Sequence, residues 1–173
     1  MKRWYMLTVV GKDRPGIVAH VTAALYEGGC NLGEASMMRL GGSFTIMLMV
    51  QHPGTAQSLE QILETVIDSM DLHIHIDAIE GRLHQHLLPD VRITVFGADK
   101  PGIVAKITGA LSNAGLHILN LESDVGGSDA HPLYIMHIEG QAGAGLDALR
   151  SALQVAAGEG VETSLTAIDT LVG

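Results

Sequence analysis

The sequence is short of the parts from which several common activities are built. It has one cysteine, Cys30, which excludes an internal disulfide and suits a reducing cytoplasm. That cysteine lies in an apolar stretch and reads as a small core residue before a reactive thiol. Aromatic residues make up 3% of the chain, and ten Lys and Arg stand against nineteen Asp and Glu. The net charge is −9, divided unevenly: six basic and nine acidic residues precede Leu87, and four and ten follow from there. No basic stripe with interleaved aromatics is present, so direct contact with nucleic acid would work against the global field. No run of about 18 apolar residues suggests a membrane span. The start, Met1-Lys2-Arg3-Trp4, leads straight into a strand pattern and does not read as a signal peptide. A G-x-S-x-G elbow, a Walker loop and a G-x-G-x-x-G after a strand are all missing. The expectation is a cytoplasmic protein that is not an enzyme.

What the chain has is a repeat. Gly11-Lys12-Asp13-Arg14-Pro15-Gly16-Ile17-Val18-Ala19 returns 86 positions later as Gly97-Ala98-Asp99-Lys100-Pro101-Gly102-Ile103-Val104-Ala105. The register holds without a gap from Tyr5/Val91 through Leu32/Ile118. A displacement of half the chain means one unit written twice. The boundaries expected are a first domain over 1–80, a polar linker over 81–89 that ends in Pro89, and a second domain over 90–173. Domains of this size bury a modest fraction of their surface and gain from packing on something else.

Each copy of the motif sits between an alternating apolar run and a helically periodic one, so it is a strand, a tight turn and the first turn of a helix. Pro15 suits the first helical residues, which have no intrahelical use for an N–H. Asp13 and Asp99 have the chemistry to cap those N–H groups. Gly16 and Gly102 leave backbone uncovered at the positive helix end, open to a small anion.

The remaining pattern follows from periodicity. Tyr5, Leu7 and Val9 alternate on a strand, and Ile17, Val18, Val21 and Leu25 make a helical stripe ended by Gly28-Gly29. Residues 31–40 and 43–50 read as strands joined by Gly41-Gly42, because both turn positions need positive φ. Ser58-Leu59-Glu60-Gln61 has capping-box spacing ahead of the stripe Leu59, Ile62, Leu63, Val66 and Met70. Leu72, Ile74, Ile76 and Ala78 alternate in a last strand. The second copy repeats this, with strands near 117–125 and 133–139 and a longer polar connection from Gly126 to Pro132. Met47 and Met49, with Met37 and Met38 in the hairpin partner, read as core or partner-facing sheet. The order βαββαβ closes into an antiparallel sheet with both helices on one face, an α+β, ferredoxin-like split βαβ arrangement.

Gly-x-Asp-x-Pro-Gly-Ile-Val-Ala, an apolar helix, and then Gly29-Cys30-Asn31-Leu32 resemble the ACT domain, a small amino-acid-sensing module. The similarity runs through both halves. A chain made of two such domains is similar to the glycine cleavage system transcriptional repressor family. That resemblance implies a cytoplasmic regulator that responds to glycine and acts by contact with a DNA-binding regulator, without catalysis and without a cofactor. It places the ligand at an interface between two domains, within one chain or between two chains of a homodimer. Its contacts fall on Asp13 with Asn31 and on Asp99 with His117. N–H groups around Pro15-Gly16-Ile17, and around Gly102-Ile103 in the second copy, would take a carboxylate. Asp13 would take an ammonium, and Asn31 has a donor and an acceptor to orient either end. His117 departs from the pattern, which leaves open whether the second site is altered or silent.

Other readings stand beside this one. Asp13 and Asp99 could be caps alone, Asn31 could simply open a strand, and the pair of domains could serve assembly with no ligand. The nine histidines raise a metal-binding regulator: His73 and His75 share a strand face, with His84 and His86 nearby. No Cys partner or helix-borne His pair completes such a set, so exposed strand histidines are the simpler reading and no metal is expected. Similar ACT segments precede a catalytic portion in formyltetrahydrofolate deformylase, and no such portion follows the second repeat.

Overall fold

The computed structural model describes residues 3–80, 87–98, 101–128 and 131–168. The chain forms two compact units, residues 1–85 and 86–173. The first runs β1 (Arg3–Lys12), α1 (Ile17–Glu27), β2 (Asn31–Leu40), β3 (Ser43–His52), α2 (Ala56–Met70) and β4 (Leu72–Ile79). The second runs β5 (Val91–Ala98), α3 (Ile103–Asn113), β6 (Leu116–Ser128), β7 (His131–Ala142), α4 (Leu146–Ala157) and β8 (Val161–Ala167). Each sheet is antiparallel and four-stranded, in the orders β2-β3-β1-β4 and β6-β7-β5-β8. Both are α+β, ferredoxin-like halves.

The alternation read from the sequence decides which face is buried. Tyr5, Leu7 and Val9 of β1 and Phe44, Ile46, Leu48 and Val50 of β3 pack against Ile17, Val21 and Leu25 of α1 and Leu59 and Leu63 of α2. Val91, Ile93 and Val95 play the same part in the second unit, under Ile107, Leu111, Leu149 and Leu153. Val18 and Val104, expected on the buried stripes, are partly exposed; burial follows the i, i+4, i+8 spacing of Ile17, Val21 and Leu25.

The opposite sheet faces differ between the units. In the first, Met6 stands across from Met49 and Thr8 from Met47. At the same ladder positions the second has Arg92 across from Glu139, with Nε 2.8 Å from Oε1, and Thr94 across from His137. His73 and His75 are exposed on β4, with His75 Nε2 3.0 Å from Asp77 Oδ2. The His84 and His86 positions lie outside the described residues.

Several local expectations are corrected. Helix α1 begins at Ile17 with Gly16 as its N-cap, and α3 begins at Ile103 with Gly102 in that place; neither has a side-chain cap bond. Pro15 therefore lies in the turn rather than at the first helical position. Asp13 does not cap α1: a glycine at φ 91° delivers the chain into the helix, which leaves the carboxylate too early in the turn. The cap of α2 is Thr55, whose Oγ1 accepts from the N–H of Ser58, so Ser58 is the third helical residue and not the cap. Where it is described, the Gly126–Pro132 stretch is ladder, with Gly126 opposite Leu133 and Gly127 opposite Pro132, because glycines and a proline are tolerated at an outer hairpin end. The Gly41-Gly42 turn has both residues at positive φ, 56° and 77°.

Candidate functional site

The first motif builds a cleft at one end of the first sheet. β1 runs out at Lys12, opposite Ser43, and the N–H of Asp13 donates to the carbonyl of Gly42 at 3.0 Å. This ties the turn to the β2–β3 hairpin. Gly16 then reverses the backbone, and the Gly16 carbonyl accepts from the His20 N–H at 2.9 Å and from His20 Nδ1 at 2.7 Å. The ring nitrogen must carry the proton there, since a carbonyl only accepts. Asp13, Arg14, Pro15, Gly16, Ile17, Met37, Arg39 and Phe44 line a cleft of about 560 Å³. Its floor is apolar, because Ile17 and Phe44 are core residues.

The charges in this cleft are arranged in a way the motif alone does not reveal. The Asp13 carboxylate pairs with the Arg39 guanidinium, which reaches it from the far end of β2. The Asp13 side chain is 23% exposed and that of Arg39 66%. The Arg14 guanidinium turns away and donates to the carbonyl of Met70 at the end of α2. Arg39 was legible only through the ladder: it lies opposite Phe44, which itself lies opposite Gly11. On sequence alone it reads as a charge on a solvated edge.

Asn31 is elsewhere. It opens β2 opposite Gln51, which faces Trp4, at the end of the sheet remote from Lys12. Eight residue steps along β1 separate the two ends, about 26 Å at about 3.3 Å per residue. Within one unit, Asp13 and Asn31 are not brought together. The crossover through α1 returns the chain to the end where it started. The second unit repeats this: Gly102 (φ 85°) and Ile103 open α3 next to the end of β5, while His117 sits at the start of β6 opposite Gln141. The Asp99 position lies outside the described residues.

A polar cluster missed in the sequence lies near Asn31. His52, at the end of β3, is buried, with Nε2 2.9 Å from Ser58 Oγ and Nδ1 3.5 Å from Cys30 Sγ. Ser58 spends its single hydroxyl proton on the Thr55 carbonyl at 2.7 Å. Its oxygen therefore accepts from His52 Nε2–H, which leaves Nδ1 to accept from the Cys30 thiol. Burial pushes the Cys30 thiol above its ordinary pKa, so it stays protonated and donates. Among the described residues, no three His, Cys, Asp or Glu side chains converge as a metal site would require.

The ACT domain model matches residues 5–77 and 90–163. The chain belongs to the ACT domain family. Its two ACT domains are similar to the glycine cleavage system transcriptional repressor of Escherichia coli (strain K12), 25% identical over 139 residues, 80% of this chain and 73% of that protein. One ACT domain's length is similar to UPF0237 protein YjhC of Lactococcus lactis subsp. lactis, 36% identical over 83 residues, 46% of this chain and 95% of that one. Among solved structures, an unknown protein from Galdieria sulphuraria superposes with a TM-score of 0.79 at 22% identity, over 97% of this chain and 99% of that chain. A protein assigned provisionally as a glycine cleavage system transcriptional repressor superposes with a TM-score of 0.66 at 23% identity, over 97% and 98%. These two superpositions establish a shared tandem ACT fold. Among the described residues, no helix is long and apolar enough to cross a membrane.

Proposed function

We propose that this chain is a cytoplasmic, non-catalytic regulator that binds a small amino acid, glycine foremost, and acts through protein contact with a DNA-binding transcriptional regulator. The observation that carries the reading is the cleft at the first ACT domain's glycine turn, where a carboxylate and a guanidinium stand over an apolar floor. The similarity to a protein named as a glycine cleavage system transcriptional repressor supports glycine as the ligand and transcriptional regulation as the role. Asn31 enters the site as a contribution from a second copy of the chain, since its own cleft is about 26 Å away.

Binding energy bounds the affinity. Glycine has five heavy atoms, and at about 1.5 kcal/mol per atom its binding free energy is at best roughly 7 kcal/mol. The dissociation constant is then no tighter than the order of micromolar. A ligand of this size moves a regulatory equilibrium only through its different affinity for the two arrangements. Isothermal titration calorimetry against glycine, serine, alanine and larger amino acids, carried to millimolar concentration, tests the reading. Saturable glycine binding that weakens with side-chain size is the expected result. Silence across the panel refutes it.

A second reading, assembly without a ligand, has one observation in its favour. Edge strand β2 exposes Met37, Met38 and Leu40, with Leu40 at 72%. An apolar open edge is a template for another strand. Calorimetric silence together with a concentration-dependent oligomer would move the weight there.

A further inference from the structure

We infer that Arg39 is the carboxylate-recognising group of the first cleft, that the site takes α-amino zwitterions by insertion into the Asp13–Arg39 pair, and that each chain has one such site. This rests on the amino-acid reading above and specifies its chemistry. Without ligand, Asp13 and Arg39 satisfy each other's charge at the cleft mouth. An α-amino acid carries the same two charges on adjacent positions. Its ammonium replaces the guanidinium at Asp13 while its carboxylate accepts from Arg39, and the net charge of the cleft does not change. An amine without a carboxylate, or an acid without an amine, breaks the pair and leaves one protein charge uncompensated. The exchange therefore selects zwitterions over either half alone. Arg14 is not placed for this task, since its guanidinium is committed to the Met70 carbonyl. Arg39, exposed and planar, matches carboxylate geometry with two parallel donors.

Among the described residues, the second unit has no guanidinium at the position equivalent to Arg39. Its ladder sets Val125 opposite Tyr134 and Tyr134 opposite Gly97, the same rows that set Arg39 opposite Phe44 and Phe44 opposite Gly11. Val125 is 55% exposed and offers a carboxylate nothing. The repeat has thus kept the glycine turn in both halves and the guanidinium in one.

The test compares wild type and Arg39→Gln by calorimetry with glycine and with glycinamide, which keeps the ammonium and lacks the carboxylate. Wild type is expected to bind one glycine per chain and to bind glycinamide about 10- to 100-fold more weakly, the range of one charge-assisted interaction. Arg39→Gln is expected to lose about 10- to 100-fold for glycine, so that the two ligands converge. Urea unfolding followed by Trp4 fluorescence should be little changed, because Arg39 sits on an exposed edge. Retention of the wild-type preference for glycine over glycinamide in Arg39→Gln overturns this inference alone, as do two equivalent sites per chain. A wild type that binds no amino acid overturns the amino-acid reading and this inference together.

Discussion

Replacing His52 by alanine tests whether the buried Cys30–His52–Ser58 chain holds the first unit together. The imidazole is 7% exposed and sits where α1 hands over to β2 and β3 hands over to α2. Losing its two hydrogen bonds costs about 1 kcal/mol each. The space left by the ring adds about 1–2 kcal/mol, less than a fully apolar cavity because water can reach the Ser58 side. The expected total is about 3 kcal/mol. The single tryptophan, Trp4, lies in β1 with its ring over Gly33, so its fluorescence reports on the first unit without mixing in the second. With a urea slope of about 1 kcal/mol per M for a unit this small, the midpoint should fall by roughly 3 M. Ser58→Ala should cost about 1–2 kcal/mol by leaving His52 Nε2–H unpaired. The double variant should be less destabilised than the sum, by about 1 kcal/mol of coupling. A midpoint shift below about 0.5 M for His52→Ala, or strict additivity in the cycle, would refute the hydrogen-bond chain.

Asp13→Ala should separate binding from folding. With no helix cap to lose and an ion pair whose guanidinium is exposed, its stability should fall by less than about 1 kcal/mol, while glycine affinity should drop about tenfold or more; urea unfolding and calorimetry on the same preparation check this, and equal losses in the two would contradict it. Gly16→Ala should cost about 1–2 kcal/mol, since φ is 91° and a Cβ would meet the His20 ring at 3.1 Å, again read from Trp4 fluorescence. Cys30 should make the first unit lose stability in alkali. Its thiol pKa is raised by burial, so above the ordinary thiol range, about 8.5, the unfolded chain gives up a proton that the folded chain keeps. Stability is then fully present below that range and falls as pH rises through it; Cys30→Ala should flatten this limb of a pH series of unfolding curves.

Strands, helices and the repeat were legible because they rest on local periodicity. Tyr5-Leu7-Val9 and Val91-Ile93-Val95 alternate wherever the chain places them. Caps were not, because two residues with cap chemistry lay close together in each case. Thr55 and Ser58 both suit an N-terminus, and only backbone geometry chooses Thr55. Asp13 was set aside as a cap by Gly16, which takes the N-cap position itself in a left-handed conformation three residues further on. The distance from Asp13 to Asn31 was legible in principle, since any right-handed crossover returns the chain to its starting end. The Asp13–Arg39 and Cys30–His52 pairs were hidden, because each joins residues more than twenty positions apart and is created by the ladder register.

The cross-strand pair Met6–Met49 in one sheet and Arg92–Glu139 in the other gives the two halves opposite responses to the medium. Added salt screens an exposed ion pair, and a sulfate-type salt at the same time strengthens the drive to cover thioether surface. A sulfate-type salt therefore weakens the ion pair on one face of this protein and makes the other face more adhesive. Duplication has left one scaffold with two surfaces that a single change of solvent tells apart.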